Sequence, residues 1–392
     1  MTPRVAPAEG RCLMKVEIIT PSADPDRGGF GSRVHGIVSM FSQFADVRVV
    51  VTDRLNGNRV PGVEYVEMPL SNSLRTRMGR MRGYYRRDFP PRKSAPSPDL
   101  VVVESLDLIG LHQYGPRVPM VLDEHNVYWN LLDYEMENAP FFQGWLGRRR
   151  AIRRVMMPRL LERAKAYEIE AIRRAARTLV TSDADRKAVV AACPEAEPRV
   201  RVLPNCADLR RVPALPDPAN SRTVVFIGDF NYVPNREAAE FVYRSLAPAL
   251  PNVRLLLVGP NQPSWPSVRN VVATGYVPDL LAVLRDAAIC IAPLAHGSGT
   301  RIKILTYLAA SRAVVATTKA CEGLPVRDGQ HLLIRDDPIE FRNAIYNLIE
   351  DPESRQRLGT AGRALVESAF DWPVHVPALR EMAREICAES MA

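Results

Sequence analysis

Short apolar segments alternate with helical patterns along this chain in two series, and a proline-rich break separates them. The first series is 14–20, 47–52, 100–104, 120–123, 178–181 and 200–203; the second is 223–227, 253–258, 271–273, 288–292, 313–317 and 332–334. Alternation of this kind predicts mostly parallel sheets covered by helices on both faces, because a parallel neighbour is reached only through a crossover. The break falls at 210–218, where three prolines lie within six residues and read as a linker. A chain of 392 residues also exceeds what one hydrophobic core usually supports. The expected fold class is α/β, with two doubly wound, Rossmann-like domains facing a central cleft. The expected boundaries are a loose extension at 1–13, an N-terminal domain at 14–207, a linker at 208–221, a C-terminal domain at 222–373 and a terminal helix at 374–392.

Composition narrows the function classes. No apolar run approaches the roughly 18 residues that span a bilayer, and the N-terminus lacks an apolar signal core, so a cytoplasmic protein is expected. Six cysteines are scattered without a C-x-x-C pair, which argues for reduced thiols and against a structural zinc site. The formal charge of +8 favours anionic partners. No nucleic-acid-binding signature accompanies it, and no nucleic acid is expected as a partner.

The most informative stretch is 295–305. Gly297, Ser298 and Gly299 follow a buried strand, and Thr300, Arg301 and Lys303 open the helix predicted over 300–310. Glycines let backbone N–H groups approach an anion, the helix N-terminus adds partial positive charge, and the two side chains add full charges. That is chemistry for holding a diphosphate, although solvated surface cations would give the same spacing. Gly28 and Gly29 follow the first strand in the same way, ahead of a helix predicted over 30–44. Arg33 and His35, one turn into that helix, are candidates for secondary contacts, with a structural role the better reading.

With these motifs placed, the chain resembles the retaining, nucleotide-sugar-dependent glycosyltransferases of the GT-B fold, family 4 (glycosyl transferases group 1). The likeness runs from Met14 onward. Its carriers are Gly28 and Gly29, residues 123–126 (Asp, Glu, His, Asn), 180–185, 202–205, 226–235, 256–259, 297–305 and 322–324. The resemblance implies a sugar donor bound mainly by the C-terminal domain and a glycan or lipid-linked acceptor bound mainly by the N-terminal one. It implies retention of anomeric configuration, no essential metal and no other cofactor. It also implies a C-terminal helix crossing back to the first domain. Arg301 and Lys303 match its diphosphate-binding positions, and His125 matches a histidine set against the transferred sugar; the alternative for His125 is a satisfied polar residue.

Two positions depart from the family pattern. Asp229, in the loop after Gly228 that is expected to line the donor site, stands where many members carry an arginine. Thr306 stands where a glutamate usually holds the ribose hydroxyls. Glu322 is a further candidate on the donor side. Asp183 and Asp185 match a metal-binding D-x-D pair, but Ser182 three residues before Asp185 makes helix capping the better reading. Asn235 after Pro234 reads as another cap, for a helix over 236–246. Arginines and large apolar residues interleave at 75–93 and 141–157, which suits an anionic membrane surface as well as a solvated face. Two rivals remain at this point: a nucleotide-sugar epimerase on the same fold, and a non-catalytic partner protein.

Overall fold

The computed structural model describes residues 14–25, 28–53, 57–68, 97–112, 117–129, 150–297 and 299–391. The strands, in chain order, are β1 (Met14–Thr20), β2 (Ala45–Val51), β3 (Glu64–Glu67), β4 (Leu100–Val103), β5 (Met120–Glu124), β6 (Arg177–Val180), β7 (Val200–Val202), β8 (Thr223–Ile227), β9 (Arg254–Val258), β10 (Val271–Gly275), β11 (Ala287–Ala292), β12 (Ala313–Ala316) and β13 (Leu333–Ile334). The α-helices used below are α1 (Gly28–Phe41), α2 (Arg150–Arg174), α3 (Asp183–Ala192), α4 (Val233–Phe241), α5 (Leu280–Asp286), α6 (Ile302–Ala309), α7 (Pro338–Glu350), α8 (Pro352–Ala369) and α9 (Trp372–Met391).

The strands form two sheets, ordered β3-β2-β1-β4-β5-β6-β7 and β10-β9-β8-β11-β12-β13, and every pairing between named strands is parallel. Runs such as Ala287–Ala292 are buried at every residue, as a central parallel strand covered on both faces requires. In each sheet the strand order reverses once, between β1 and β4 and between β8 and β11. Such switch points open crevices at the carboxyl ends of the strands. The topology alone therefore brings the segments after β1, β4, β8 and β11 to the two crevices.

The chain between the sheets is held firmly by arginines of the second half. Buried Arg312 donates to the Pro216 carbonyl (2.6 Å), and buried Arg355 grips both carboxylate oxygens of Asp217 (3.0 and 2.9 Å). Arg363 donates to the Val212 carbonyl at 2.8 Å. These arginines are thus spent on carbonyls and carboxylates inside the protein, where the forked guanidinium satisfies several acceptors at once.

Helix α9 crosses back to the first half. Trp372, Val376, Leu379, Met382, Ala383 and Ile386 share a core with Val34, Ile37, Val38 and Phe41 of α1. The approach depends on Gly36, where a Cβ would fall 2.1 Å from the Trp372 ring. The helix begins at Trp372 rather than 374, because Pro373 in the first turn needs no hydrogen-bond acceptor. Two other boundaries move. Helix α1 starts at Gly28, so Gly28 and Gly29 are its first residues and not a preceding loop. Helix α6 starts at Ile302, because Arg301 at φ −85° and ψ 94° is its extended N-cap. The five cysteines among the described residues are free thiols.

Candidate active site

The glycine loop after β11 has the backbone its sequence calls for. Gly297 (φ +112°) and Gly299 (φ +72°) both lie in the left-handed region, which a side chain disfavours. Space is as restrictive as torsion. A Cβ on Gly297 would lie 2.7 Å from the Tyr232 hydroxyl and 2.8 Å from Arg301 Nη2, and one on Gly299 would lie 2.4 Å from Asn126 Oδ1. The loop therefore rests on the first half of the chain, beside His125 and Asn126. Ser298 lies outside the described residues.

Arg301 and Lys303 are brought together, the first buried and the second half-buried. Arg301 is buried and donates to the Gly299 carbonyl at 3.0 Å. Lys303 donates to Asn235 Oδ1 at 2.6 Å and sits 4.3 Å above the Phe226 ring. Both partners of Lys303 are neutral, and among the described residues no carboxylate pairs with it. Burial first, then the Arg301 charge, pushes the Lys303 ammonium well below its ordinary proton affinity; burial likewise lowers Arg301. Two adjacent cations held this way are poised for an anion, whose arrival would reverse both shifts.

Asn235 is not the predicted cap. Pro234 belongs in the first turn of a helix, so α4 starts at Val233 with Tyr232 as N-cap, and the side chain of Asn235 is released for other contacts. Its Nδ2 donates to the Asp229 carbonyl at 2.8 Å while its Oδ1 receives Lys303. Gly228 makes room for it, since a Cβ there would meet the Asn235 amide at 2.7 Å. Asp229 itself is exposed and turns its carboxylate onto Asn231 N (2.9 Å) and Asn261 Nδ2 (2.9 Å). Thr306 spends its hydroxyl proton on the Ile302 carbonyl at 3.0 Å. Glu322 is exposed and paired with Lys319 at 2.6 Å, although the next residue, Gly323, packs against Thr300. Ser182 caps α3 by accepting from Asp185 N (3.1 Å), and both Thr181 and Ser182 donate to the Asp185 carboxylate (2.7 Å each), so that pair is spent on capping.

The facing wall comes from β1, β4 and β5. The N-terminus of α1 reaches across so closely that a Cβ on Gly29 would lie 3.1 Å from Ile302 Cδ1, whereas no described atom lies within 4 Å of the corresponding point on Gly28. His125 stacks on Phe30 with ring centroids 4.3 Å apart. Its Nε2 faces Glu104 Oε2 at 3.0 Å and Asp123 Oδ2 at 3.2 Å. Asp123 is held on both oxygens by Arg33 (2.8 and 2.6 Å), which also donates to the Leu203 carbonyl (3.0 Å) and Asn205 Oδ1 (3.1 Å). Asn205 in turn donates to Thr300 Oγ1 at 2.8 Å. One chain of bonds thus joins His125 to the residue preceding Arg301.

Residues Glu104, Arg33 and Asn205 carry much of this geometry and were not assigned a site role from sequence. A signal existed for Glu104: a carboxylate that ends the wholly apolar run Leu100–Val103 at a switch point. For Arg33, a candidate secondary contact, and Asn205, one of the residues that carry the resemblance, the sequence shows no partner, because those partners lie 90 and 95 residues away.

Glu168, buried on α2, fixes the turn after His125 by accepting the backbone N–H groups of Tyr128 (2.7 Å) and Trp129 (3.0 Å). Burial pushes its carboxyl up to about 8, and pushes Glu104 up to about 7. The folded chain therefore keeps protons that the unfolded chain releases near its ordinary 4.5. Stability from these groups is complete below that value and is lost as pH rises toward 8. Thermal scans should show Tm falling between about pH 5 and pH 8.5, with a shallower fall in Glu168→Gln. Identical slopes in the two proteins would show that Glu168 does not contribute.

Residues 221–351 match the sequence model of the family Glycosyl transferases group 1. No curated protein sequence matches the chain. Among solved structures, HepE from Anabaena in complex with UDP and glucose is 16% identical with a TM-score of 0.65, covering 94% of this chain and 98% of that one. Sucrose-phosphate synthase from Thermosynechococcus elongatus is 16% identical with a TM-score of 0.69, covering 96% and 100%. WaaG, a glycosyltransferase involved in lipopolysaccharide biosynthesis, is 14% identical with a TM-score of 0.63, covering 95% and 99%. These structures share the two-sheet GT-B architecture of this chain over nearly its whole length. The family match falls on the second sheet, so over 221–351 the chain is similar to the glycosyl transferases group 1.

Proposed function

We propose that the protein is a retaining glycosyltransferase that transfers a sugar from a nucleoside diphosphate donor to a hydroxyl of a glycan or lipid-linked glycan acceptor. The observation that carries this reading is Lys303, a half-buried cation with only neutral partners, beside buried Arg301. As the glycosidic bond breaks, charge grows on the departing diphosphate, and cations already in place stabilise it without reorganising. Arg301 can bridge two phosphate oxygens, and Lys303 acts as a point charge. The α1 N-terminus at Gly28 adds backbone N–H groups from the opposite wall. His125, on its Phe30 platform, faces the sugar from the acceptor side. With two cations and a helix end supplied, the diphosphate needs no metal. The UDP and glucose bound to HepE, and the part WaaG plays in lipopolysaccharide biosynthesis, support a donor of this kind and an envelope acceptor.

The reading extends to a cytoplasmic location at the inner membrane face. No helix among the described residues is long and apolar enough to cross a membrane. The two basic, aromatic-bearing segments suited to a membrane surface, 75–93 and 141–157, lie outside the described residues apart from part of the second, whose side chains are not described. A second reading, a non-catalytic partner, is favoured by Asp229 and Thr306, whose polar groups are turned onto their own backbone and neighbours.

A thermal-shift screen against UDP, GDP, dTDP and ADP without added metal separates the two. A ligand at a hundredfold its dissociation constant stabilises the folded state by about 2.7 kcal/mol. A shift with one base names the donor series for acceptor assays, in which product NMR reads anomeric configuration. No shift with any base would favour the non-catalytic reading.

A further inference from the structure

We propose that Glu104 is a positioning residue for His125: it turns Nε2 into the protein and keeps a proton there, so that the ring works in the cleft as an imidazolium donating through Nδ1. This rests on the transferase reading for its consequence, but not for its test.

The argument starts from charge. Asp123 and Arg33 form a bidentate pair whose side chains are both buried, so the Asp123 charge is offset in part. What remains is one carboxyl, Glu104, and one imidazole, His125, joined through Oε2 and Nε2 at 3.0 Å. Glu104 is completely buried, and its other oxygen, Oε1, has no hydrogen-bond partner among the described residues. A buried carboxylate so poorly satisfied is stable only if it shares a proton or faces a cation. The imidazole, at 3.0 Å, is the group placed to share that proton, while the Arg33 charge acts on Glu104 without a hydrogen bond. Asp123 Oδ2, 3.2 Å from the same Nε2, exerts the larger pull on that proton, and Glu104 adds to it. The charged groups facing His125 are thus Glu104 from β4, Asp123 from β5 and, behind Asp123, Arg33 from α1; Phe30, stacked on the ring, is neutral. Burial alone would favour the neutral ring, and the two carboxylates override it and raise the proton affinity of His125.

The same three side chains place one ligand atom each within 4.8 Å of one another, which would also suit a divalent cation. Arg33 argues against that use, since its guanidinium already occupies both oxygens of Asp123 and would repel a metal ion. With Nε2 committed inward, Nδ1 is the ring nitrogen left for a sugar hydroxyl. A doubly protonated ring can only donate there, which selects an oxygen acceptor on the ligand.

Histidine NMR tests this directly in the full chain, with six imidazoles to follow and His125 assigned through His125→Gln. The His125 midpoint is expected to lie above the ordinary 6.5 and to drop by about one unit in Glu104→Gln, with the other imidazoles unmoved. Glu104→Asp, which withdraws the carboxylate by one methylene, should give a smaller drop and serves if the amide variant does not fold. An unchanged midpoint in the folded variants overturns the proposal whether or not the protein transfers sugar. So does a zinc-dependent rise in Tm that either variant abolishes, which would assign the cluster to a metal. If the midpoint drops but no donor is ever turned over, the inference stands and the transferase reading fails. In an active enzyme the alkaline limb of kcat/KM should move to lower pH with the same substitution.

Discussion

Replacing Lys303 with methionine is expected to cut turnover by about two to three orders of magnitude while leaving the unliganded protein at least as stable as before. The two effects have one cause. The ammonium rests on the Phe226 ring and the Asn235 amide, and burial beside Arg301 disfavours its charge. Methionine fills a similar volume without that cost. The charge becomes useful only when a diphosphate enters and its negative charge grows during bond cleavage. Arg301→Ala is expected to lower turnover at least tenfold by the same logic. The measurements are kcat for donor consumption and Tm with and without nucleoside diphosphate. If Lys303→Met lost stability in the empty state yet kept its nucleotide-induced shift, Lys303 would be a structural cation and the proposed donor site would be misplaced.

The placement of these cations was legible in the sequence because it follows from local rules. Glycines at 297 and 299, a buried strand before them and a helix after them fix where the loop must lie, and both helix-proximal cations come with it. Strand alternation likewise sufficed for two parallel sheets. The exception was β3, Glu64–Glu67, whose alternating charged ends and two half-buried residues give no apolar run. Caps were read unevenly. Ser182 is legible, since its cap depends on four consecutive residues, whereas Asn235 does not cap its helix, because Pro234 in the first turn sets the N-cap position back at Tyr232. Unreadable altogether were the polar contacts made across the fold. Glu104 is 21 residues from His125, and Arg33 is 172 from Asn205, so no periodicity or spacing rule connects them. Only the order of strands in the first sheet, which sets β1 against β4 and β4 against β5, brings those side chains to one place.

Arg33 is where that long-range wiring can be tested for energy. Arg33→Met is expected to destabilise the protein by about 3–5 kcal/mol, because it strands the buried Asp123 carboxylate without its cation. The Leu203 carbonyl and Asn205 Oδ1 lose donors at the same time. Denaturant unfolding of Arg33→Met, Asp123→Leu and the double variant separates the contributions. The double variant should be more stable than Arg33→Met, since the stranded charge is gone. Simple additivity of the two losses would mean that the pair is not coupled. The functional consequence travels through Asn205, which joins the pair to Thr300 Oγ1 at 2.8 Å, one residue before Arg301. In the double variant, if folded, nucleotide affinity should fall although no residue touching the diphosphate has changed. The loop that presents Arg301 would then be held in place by the wall that carries His125, so that the donor loop and the facing histidine are set by one network of bonds.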